Sequence, residues 1–303
     1  MKKTALSSLL HPRELPEFLS AFEKNEPFVV HHGLADLQDL AELPFLKSLG
    51  DLLNCWPKKI MAHLPDVRDE SSAIETNAID AQKLFTNGMG LLFNEAQEIS
   101  PVLVRWLEEI RQELGISAMT YSRCLIYATP KDKGTAPHFD QNINFVVQIH
   151  GHKTWYMAPN ESVQNPLTRH TMSSEPDPEL ASYIEKEMPV SMPASAQKIV
   201  LKPGSVLFVP RGYWHSTEAQ EDSLALNFTF TAPTWIDLLT AALRSRLSLS
   251  VDWRETANGV ADPSRRESAE INFETLLETL VEDLPNWKAQ DILAATDGPI
   301  SGQ

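Results

Sequence analysis

Between Thr120 and Ala232 the sequence loses helical spacing and becomes a series of short alternating or β-branched runs, each closed off by proline or glycine. Residues 122–128, 144–150, 153–157, 205–209 and 223–231 are the clearest of them. Short strands at this spacing predict an antiparallel barrel or a double sheet. The segments on either side read differently. Residues 14–25 place Leu15, Phe18, Leu19 and Phe22 on one helical stripe, and 27–30 form a short apolar run expected to be a strand. Ser100 in an N-cap position, Pro101 in the first turn, a stripe of Leu103, Leu107, Ile110 and Leu114, and a closing Gly115 mark a helix. Two further helices are expected over 235–247 and 272–284, with a charged stretch, 254–270, between them. The expected plan is a mainly β core with helical flanks over residues 1–233, followed by a C-terminal helical region over 234–303.

Composition narrows the function classes. Lys and Arg total 26 against 41 Asp and Glu, a net charge of −15, which argues against free nucleic acid or an anionic membrane as partner, since either needs a basic footprint. The two cysteines, Cys55 and Cys124, exclude a disulfide framework or a cysteine-rich zinc module and fit a reducing compartment. The apolar run after Lys3 covers about six residues before His11-Pro12, too short for a signal peptide, and no run reaches the ~18 residues of a membrane span. A cytoplasmic protein is expected.

One segment carries chemistry. In His138-Phe139-Asp140 the imidazole and the carboxylate lie two positions apart, so on a strand they share a face and can grip one metal ion. When such a triplet stands alone, a polar strand end with a satisfied histidine is the better account of it. Register adds weight. If Gly151-His152 is a two-residue hairpin loop, His150 pairs with Lys153, Gln148 with Trp155 and Val146 with Met157. Lys153 then projects on the same side as Asn144 and, along an unbroken strand, as His138 and Asp140. A lysine aimed into a barrel is costly unless it meets an anion; a surface lysine at a hairpin is the plainer alternative. A third ligand would come from another strand. Pro210-Arg211-Gly212 turns the chain and presents His215 at the start of the next element. In the following strand Ala225, Asn227 and Thr229 make a small polar face opposite Leu224, Leu226, Phe228 and Phe230. Two histidines and one aspartate leave three positions of an octahedron open, as in non-haem Fe(II) oxygenases, whereas structural zinc wants four closed ligands.

These motifs together resemble the JmjC-type cupin oxygenases. They are His138-Phe139-Asp140, Asn144-Phe145, Gln148 to Gly151, Lys153 and Trp155, then Pro203-Gly204, Leu207-Phe208, Pro210 and Trp214-His215. The nearest branch is that of the bacterial enzymes related to ribosomal-protein and asparaginyl hydroxylases, and the likeness runs over about residues 15–235, including a loop and helix from Leu84 to Ile116. The resemblance implies a double-stranded β-helix (jelly-roll) fold, Fe(II) held by His138, Asp140 and His215, 2-oxoglutarate as cosubstrate with O2, and hydroxylation of a protein side chain. It assigns the distal carboxylate of 2-oxoglutarate to Lys153, fifteen positions after His138, and gives Thr135, Asn144 and Asn227 places around the cosubstrate. The asparaginyl hydroxylases of this family carry lysine at the position of Lys153, whereas the ribosomal arginine hydroxylases carry arginine there, which argues against a ribosomal arginine as substrate. It also implies that the helices after Pro233 pair two subunits. An oxygenase of a small metabolite and a non-catalytic cupin are the competing readings. Residues 160–196, rich in Pro, Ser and charge, form a long insertion that reads either as a substrate lid or as an inert excursion.

Overall fold

In a computed structural model, which describes residues 4–63, 73–172 and 174–297, thirteen strands form two antiparallel sheets. Four come from the first hundred residues: β1 (Phe28–His31), β2 (Ile60–His63), β3 (Ala73–Thr76) and β4 (Gly90–Phe93). The rest are β5 (Tyr121–Thr129), β6 (Gly134–Phe139), β7 (Ile143–His150), β8 (Lys153–Ala158), β9 (His170–Thr171), β10 (Gln197–Leu201), β11 (Ser205–Val209), β12 (Trp214–Ala219) and β13 (Ser223–Thr231). The eight-stranded sheet runs β1-β11-β7-β13-β5-β4-β2-β3 and the five-stranded sheet β10-β8-β12-β6-β9. The expected double sheet is therefore present, in jelly-roll form, with helices around it. The chain divides into two compact units: one holds both sheets and their N-terminal flank, the other Ile116–Thr120 with Ala232–Gln303.

Side chains from the two inner faces meet in one apolar cluster. Val146, Leu207, Val209 and Ala225 from the larger sheet pack against Trp155, Met157, Ile199 and Leu201 from the smaller, and all are buried. Alternation puts the neighbouring residues on the outer face, where helices cover them. Phe18 of the helix Leu15–Glu23 is fully buried, its ring 5.6 Å from Phe28 and Phe145 and 5.2 Å from Phe208. Trp106 of the helix Pro101–Glu113 stacks on Phe228 at 5.8 Å and 15°. Ser100 sits at the N-cap of that helix with extended backbone, but its side chain makes no capping bond.

Two expectations about strands are corrected. β7 and β8 are not a hairpin: β7 pairs with β11 and β13, β8 with β10 and β12, so both edges of each are taken within different sheets. Gly151-His152 is instead a corner between sheets. Gly151 has φ +70°, and a Cβ there would lie 2.4 Å from the Asp222 carbonyl oxygen. The N-terminal flank is also more than helical, because β2, β3 and β4 extend the larger sheet through pairing of β4 with β5. The segment from Leu84 is accordingly the end of the helix Ala78–Thr86, then β4, before the helix that follows.

The insertion at 160–196 is packed. It contributes the edge strand β9, and its Val163, Met172 and Leu180 are buried against Phe139, Ala158 and Trp214. The C-terminal unit contains the expected helix Trp235–Leu247, opened by a capping box in which Thr234 and Asp237 exchange bonds. The next helix is Arg266–Asp283, beginning within the charged stretch because Arg266 and Glu270 pair one turn apart at 2.7 Å. Arg246 grips Asp283 with two nitrogens at 2.8 and 2.7 Å, tying the two helices together. Among the described residues no helix is long and apolar enough to cross a membrane.

Candidate metal centre

His138 lies near the end of β6 and His215 at the start of β12, and the two are direct cross-strand partners with ring centroids 4.1 Å apart. Asp140 is the first residue but one past His138, just beyond the strand end, and its carbonyl accepts from Gly212 N–H at 2.8 Å. That backbone bond joins the turn before His215 to the turn after His138. The three side chains offer ligand atoms that all lie within 4.8 Å of one another. A bulge in β12 between His215 and Thr217 re-aims the strand beside the centre. Gly134 permits the close approach there: a Cβ would fall 1.7 Å from the Thr217 carbonyl oxygen.

Each imidazole is oriented from behind. His138 Nδ1 lies 2.8 Å from the Ala136 carbonyl and His215 Nδ1 2.9 Å from the Tyr213 carbonyl. A carbonyl can only accept, so both Nδ1 atoms carry a proton, which leaves Nε2 as the ligand atom that each ring would offer a metal. Burial, then the neighbouring His215 and Arg169, hold the His138 pKa well below the usual histidine value, which keeps the ring neutral. Trp155 stacks on the other side of His215, centroids 5.6 Å apart. Asp140 Oδ2 faces His215 Nε2 at 3.7 Å. Asn144 Nδ2 donates weakly to the same oxygen at 3.4 Å, and its amide is fixed by Thr229 and Asn227, which donate to Asn144 Oδ1 at 2.8 and 3.1 Å. Two imidazoles and one carboxylate on one side of a cavity suit a divalent iron-group cation with exchangeable positions; no thiolate or fourth ligand is present among the described residues.

The cluster lines a pocket of about 510 Å³, counting its open mouth, together with Lys153, Thr135, Thr217, Tyr127 and Asn227. Lys153 does face the same interior as His138, Asp140 and Asn144, as expected, although not through the hairpin that suggested it. The two sheets face each other, so an inward residue from either one meets the others. Its ammonium is buried and donates to a single hydroxyl, Thr129 Oγ1, at 2.7 Å. Burial pulls its pKa from 10.5 down to about 8. An ammonium with three donors and one neutral partner among the described residues, desolvated in a pocket, can receive an anion. Trp155 Nε1 and Asn227 Oδ1 are likewise buried without a hydrogen-bond partner among the described residues. A small dicarboxylate chelating the metal at one end therefore fits the residues present. Thr135 bonds Thr217, with 3.0 Å between the hydroxyl oxygens, on the same wall. Asn144 and Asn227 belong first to the network that orients Asp140.

Sequence reading did not single out Tyr127, Thr129, Thr217 or Arg169. The first two were accessible: β13 pairs with β5, so Tyr127 lies opposite Ala225 and Thr129 opposite Ser223, on a face already read as pocket lining. Arg169 gave no signal, because β9 is two residues long.

Comparison with known proteins agrees with this geometry. The JmjC domain description matches residues 103–238. The chain is 30% identical over 303 aligned residues to the uncharacterized protein YxbC of Bacillus subtilis (strain 168), covering 97% of this chain and 92% of that one. This chain belongs to the JmjC-domain family. Ribosomal oxygenase 1 of Gallus gallus is 25% identical over 93% of this JmjC protein and 48% of its own length, so the chain spans about half of that relative. The structure of YcfD, a ribosomal oxygenase from Escherichia coli in complex with cobalt and succinic acid, shares the fold at a TM-score of 0.50 and 15% identity, over 89% of this chain and 67% of that one.

Proposed function

We propose that this JmjC protein is an Fe(II)- and 2-oxoglutarate-dependent oxygenase that hydroxylates a side chain of a protein substrate. The observation that carries the reading is the buried Lys153 ammonium, held by the Thr129 hydroxyl, in the same pocket as the His138, Asp140 and His215 ligand atoms. When bound, iron and 2-oxoglutarate supply the oxidation: O2 and the cosubstrate give succinate and CO2, with one oxygen atom placed in a substrate C–H bond. The protein's own residues bind and orient. His138 and His215 present their Nε2 atoms, Asp140 adds the one carboxylate, and Lys153 fixes the far carboxylate of the cosubstrate through a charge-assisted bond. Thr129 holds the ammonium in place, Trp155 and Asn227 offer one free donor and one free acceptor to the pocket, and the apolar cluster around Val146 excludes water. The side-chain hydroxylase reading draws on relatives named ribosomal oxygenase. Oxidation of a small metabolite is the second reading; an insertion that closed the mouth of the pocket would favour it.

The same proposal includes pairing of two subunits through the C-terminal helices in the cytoplasm. Trp235, Ile236, Leu239, Phe273 and Val281 lie exposed on them, an apolar surface of the kind that marks an interaction site. Mass spectrometry of a proteome with and without the active protein tests the substrate class. A peptide that gains one oxygen atom only with the His138-bearing protein supports it; modified metabolites with no modified peptide would move the reading to the alternative.

A further inference from the structure

The two oxygens of Asp140 have different surroundings. Oδ2 faces His215 Nε2 and accepts from Asn144, while Oδ1 is 3.2 Å from Arg169 Nε. The arginine does not reach that position by chance. β9 pairs antiparallel with β6, with Thr171 opposite His138 and His170 opposite Phe139, and Met172 N–H donates to the Pro137 carbonyl at 2.8 Å. Continuing this register by one position sets Arg169 opposite Asp140, as cross-strand neighbours. A second contact steadies the guanidinium: Nη1 donates to Thr171 Oγ1, two residues along the same face, at 3.1 Å. The segment carrying Arg169 is anchored in turn by buried Met172 and Leu180, so the pair is set by the packed insertion.

The geometry points to Arg169 as a positioning residue for Asp140: its guanidinium occupies Oδ1, so the carboxylate meets the metal through Oδ2 alone. This inference rests on the metal-centre reading above. Its consequence is a coordination count. A carboxylate binding through both oxygens would take a second position, and with two imidazoles and a chelating dicarboxylate the octahedron would be full. Held through one oxygen, it leaves a sixth position free for the reaction. The insertion at 160–196 thereby gains a role that is neither lid nor inert excursion: it supplies the arm that sets the aspartate's binding mode.

The alternative is that the guanidinium stands where the cation would be and is pushed aside when metal binds. The two accounts differ in sign. A displaced arginine opposes the metal, so removing it tightens binding; a positioning arginine supports the ligand, and loss of such outer partners costs roughly 10–100-fold in affinity. Co(II) titration of the full chain, followed by visible absorption, reads this directly, with thermal melts showing that each variant is folded. Arg169→Met is expected to raise the Co(II) Kd at least ~10-fold, and with 2-oxoglutarate present its cobalt band should weaken as the coordination number rises. Arg169→Lys should recover most of the affinity. Unchanged or tighter Co(II) binding by Arg169→Met overturns the inference. His138→Ala separates the two levels of the argument. If it binds Co(II) as tightly as the unsubstituted protein, the metal centre itself is wrongly assigned. If it fails to bind while Arg169→Met binds normally, only the role of Arg169 is lost.

Discussion

Replacing Lys153 by methionine should make the protein more stable and its pocket less able to hold 2-oxoglutarate. The stability half follows from burial. The ammonium's pKa falls from 10.5 to about 8 on desolvation, a difference worth ~3 kcal/mol against the folded state. The bond to Thr129 returns about 1 kcal/mol of that, so an apolar side chain of similar length should gain about 2 kcal/mol. The sign with pH is fixed. A lysine whose folded pKa is depressed imposes its penalty in full below about pH 8, and the penalty fades as pH rises towards 10.5, where the unfolded state loses the proton that the folded state has already given up. The gain in Lys153→Met should therefore be complete at pH 7 and shrink above pH 8. The binding half is the loss of a charge-assisted contact of roughly 1.5–3 kcal/mol, or ~10–150-fold in the Kd for 2-oxoglutarate. Urea unfolding at several pH values and calorimetric titration of the metal-loaded protein read the two halves. A variant that is less stable at pH 7, or that binds 2-oxoglutarate as before, would refute the reasoning, because Lys153 would then be repaid by contacts already in the protein.

Other perturbations follow from the same structure. In the unsubstituted protein, 2-oxoglutarate affinity should fall about tenfold per pH unit above pH 8 as free Lys153 loses its proton, and calorimetry across pH 7–10 checks it. Gly134→Ala forces a Cβ to within 1.7 Å of a backbone oxygen beside the β12 bulge, and should cost at least ~1–3 kcal/mol in urea unfolding. Phe18→Ala empties the aromatic contact between the first helix and the larger sheet, with an expected loss of about 3–5 kcal/mol and no direct effect on metal affinity. Phe273→Glu with Val281→Glu should lower the mass found by light scattering to that of one chain; an unchanged dimer, or a monomer before substitution, contradicts pairing through these helices.

The parts of the fold that were legible in the sequence are those with a strong local signal. The helix Trp235–Leu247 carries its own period and cap, and β7, β11 and β13 are runs of buried apolar or β-branched residues. β2, β3 and β4 have only four residues each, and their identity as strands comes from sheet partners that sequence order does not reveal. The site was legible for a similar reason. His138 and Asp140 are neighbours in sequence, and His215 follows a turn marked by proline and glycine. Lys153 lines the pocket, although the hairpin from which the sequence placed it there is absent. The corner at Gly151 looks like a hairpin loop because both need a glycine at positive φ, and only the pairing of β7 with β13 and of β8 with β12 tells them apart. Arg169 was invisible because its function depends on a two-residue edge strand inside a segment without periodicity.

The most direct test of the account is calorimetric titration of 2-oxoglutarate into the protein with and without a divalent metal, in parallel with the His138→Ala variant. The account predicts binding of one 2-oxoglutarate per chain that needs the metal, and its loss in the variant. Equal affinity in metal-free protein, or in His138→Ala, would contradict a cosubstrate held between Lys153 and a metal at His138, Asp140 and His215.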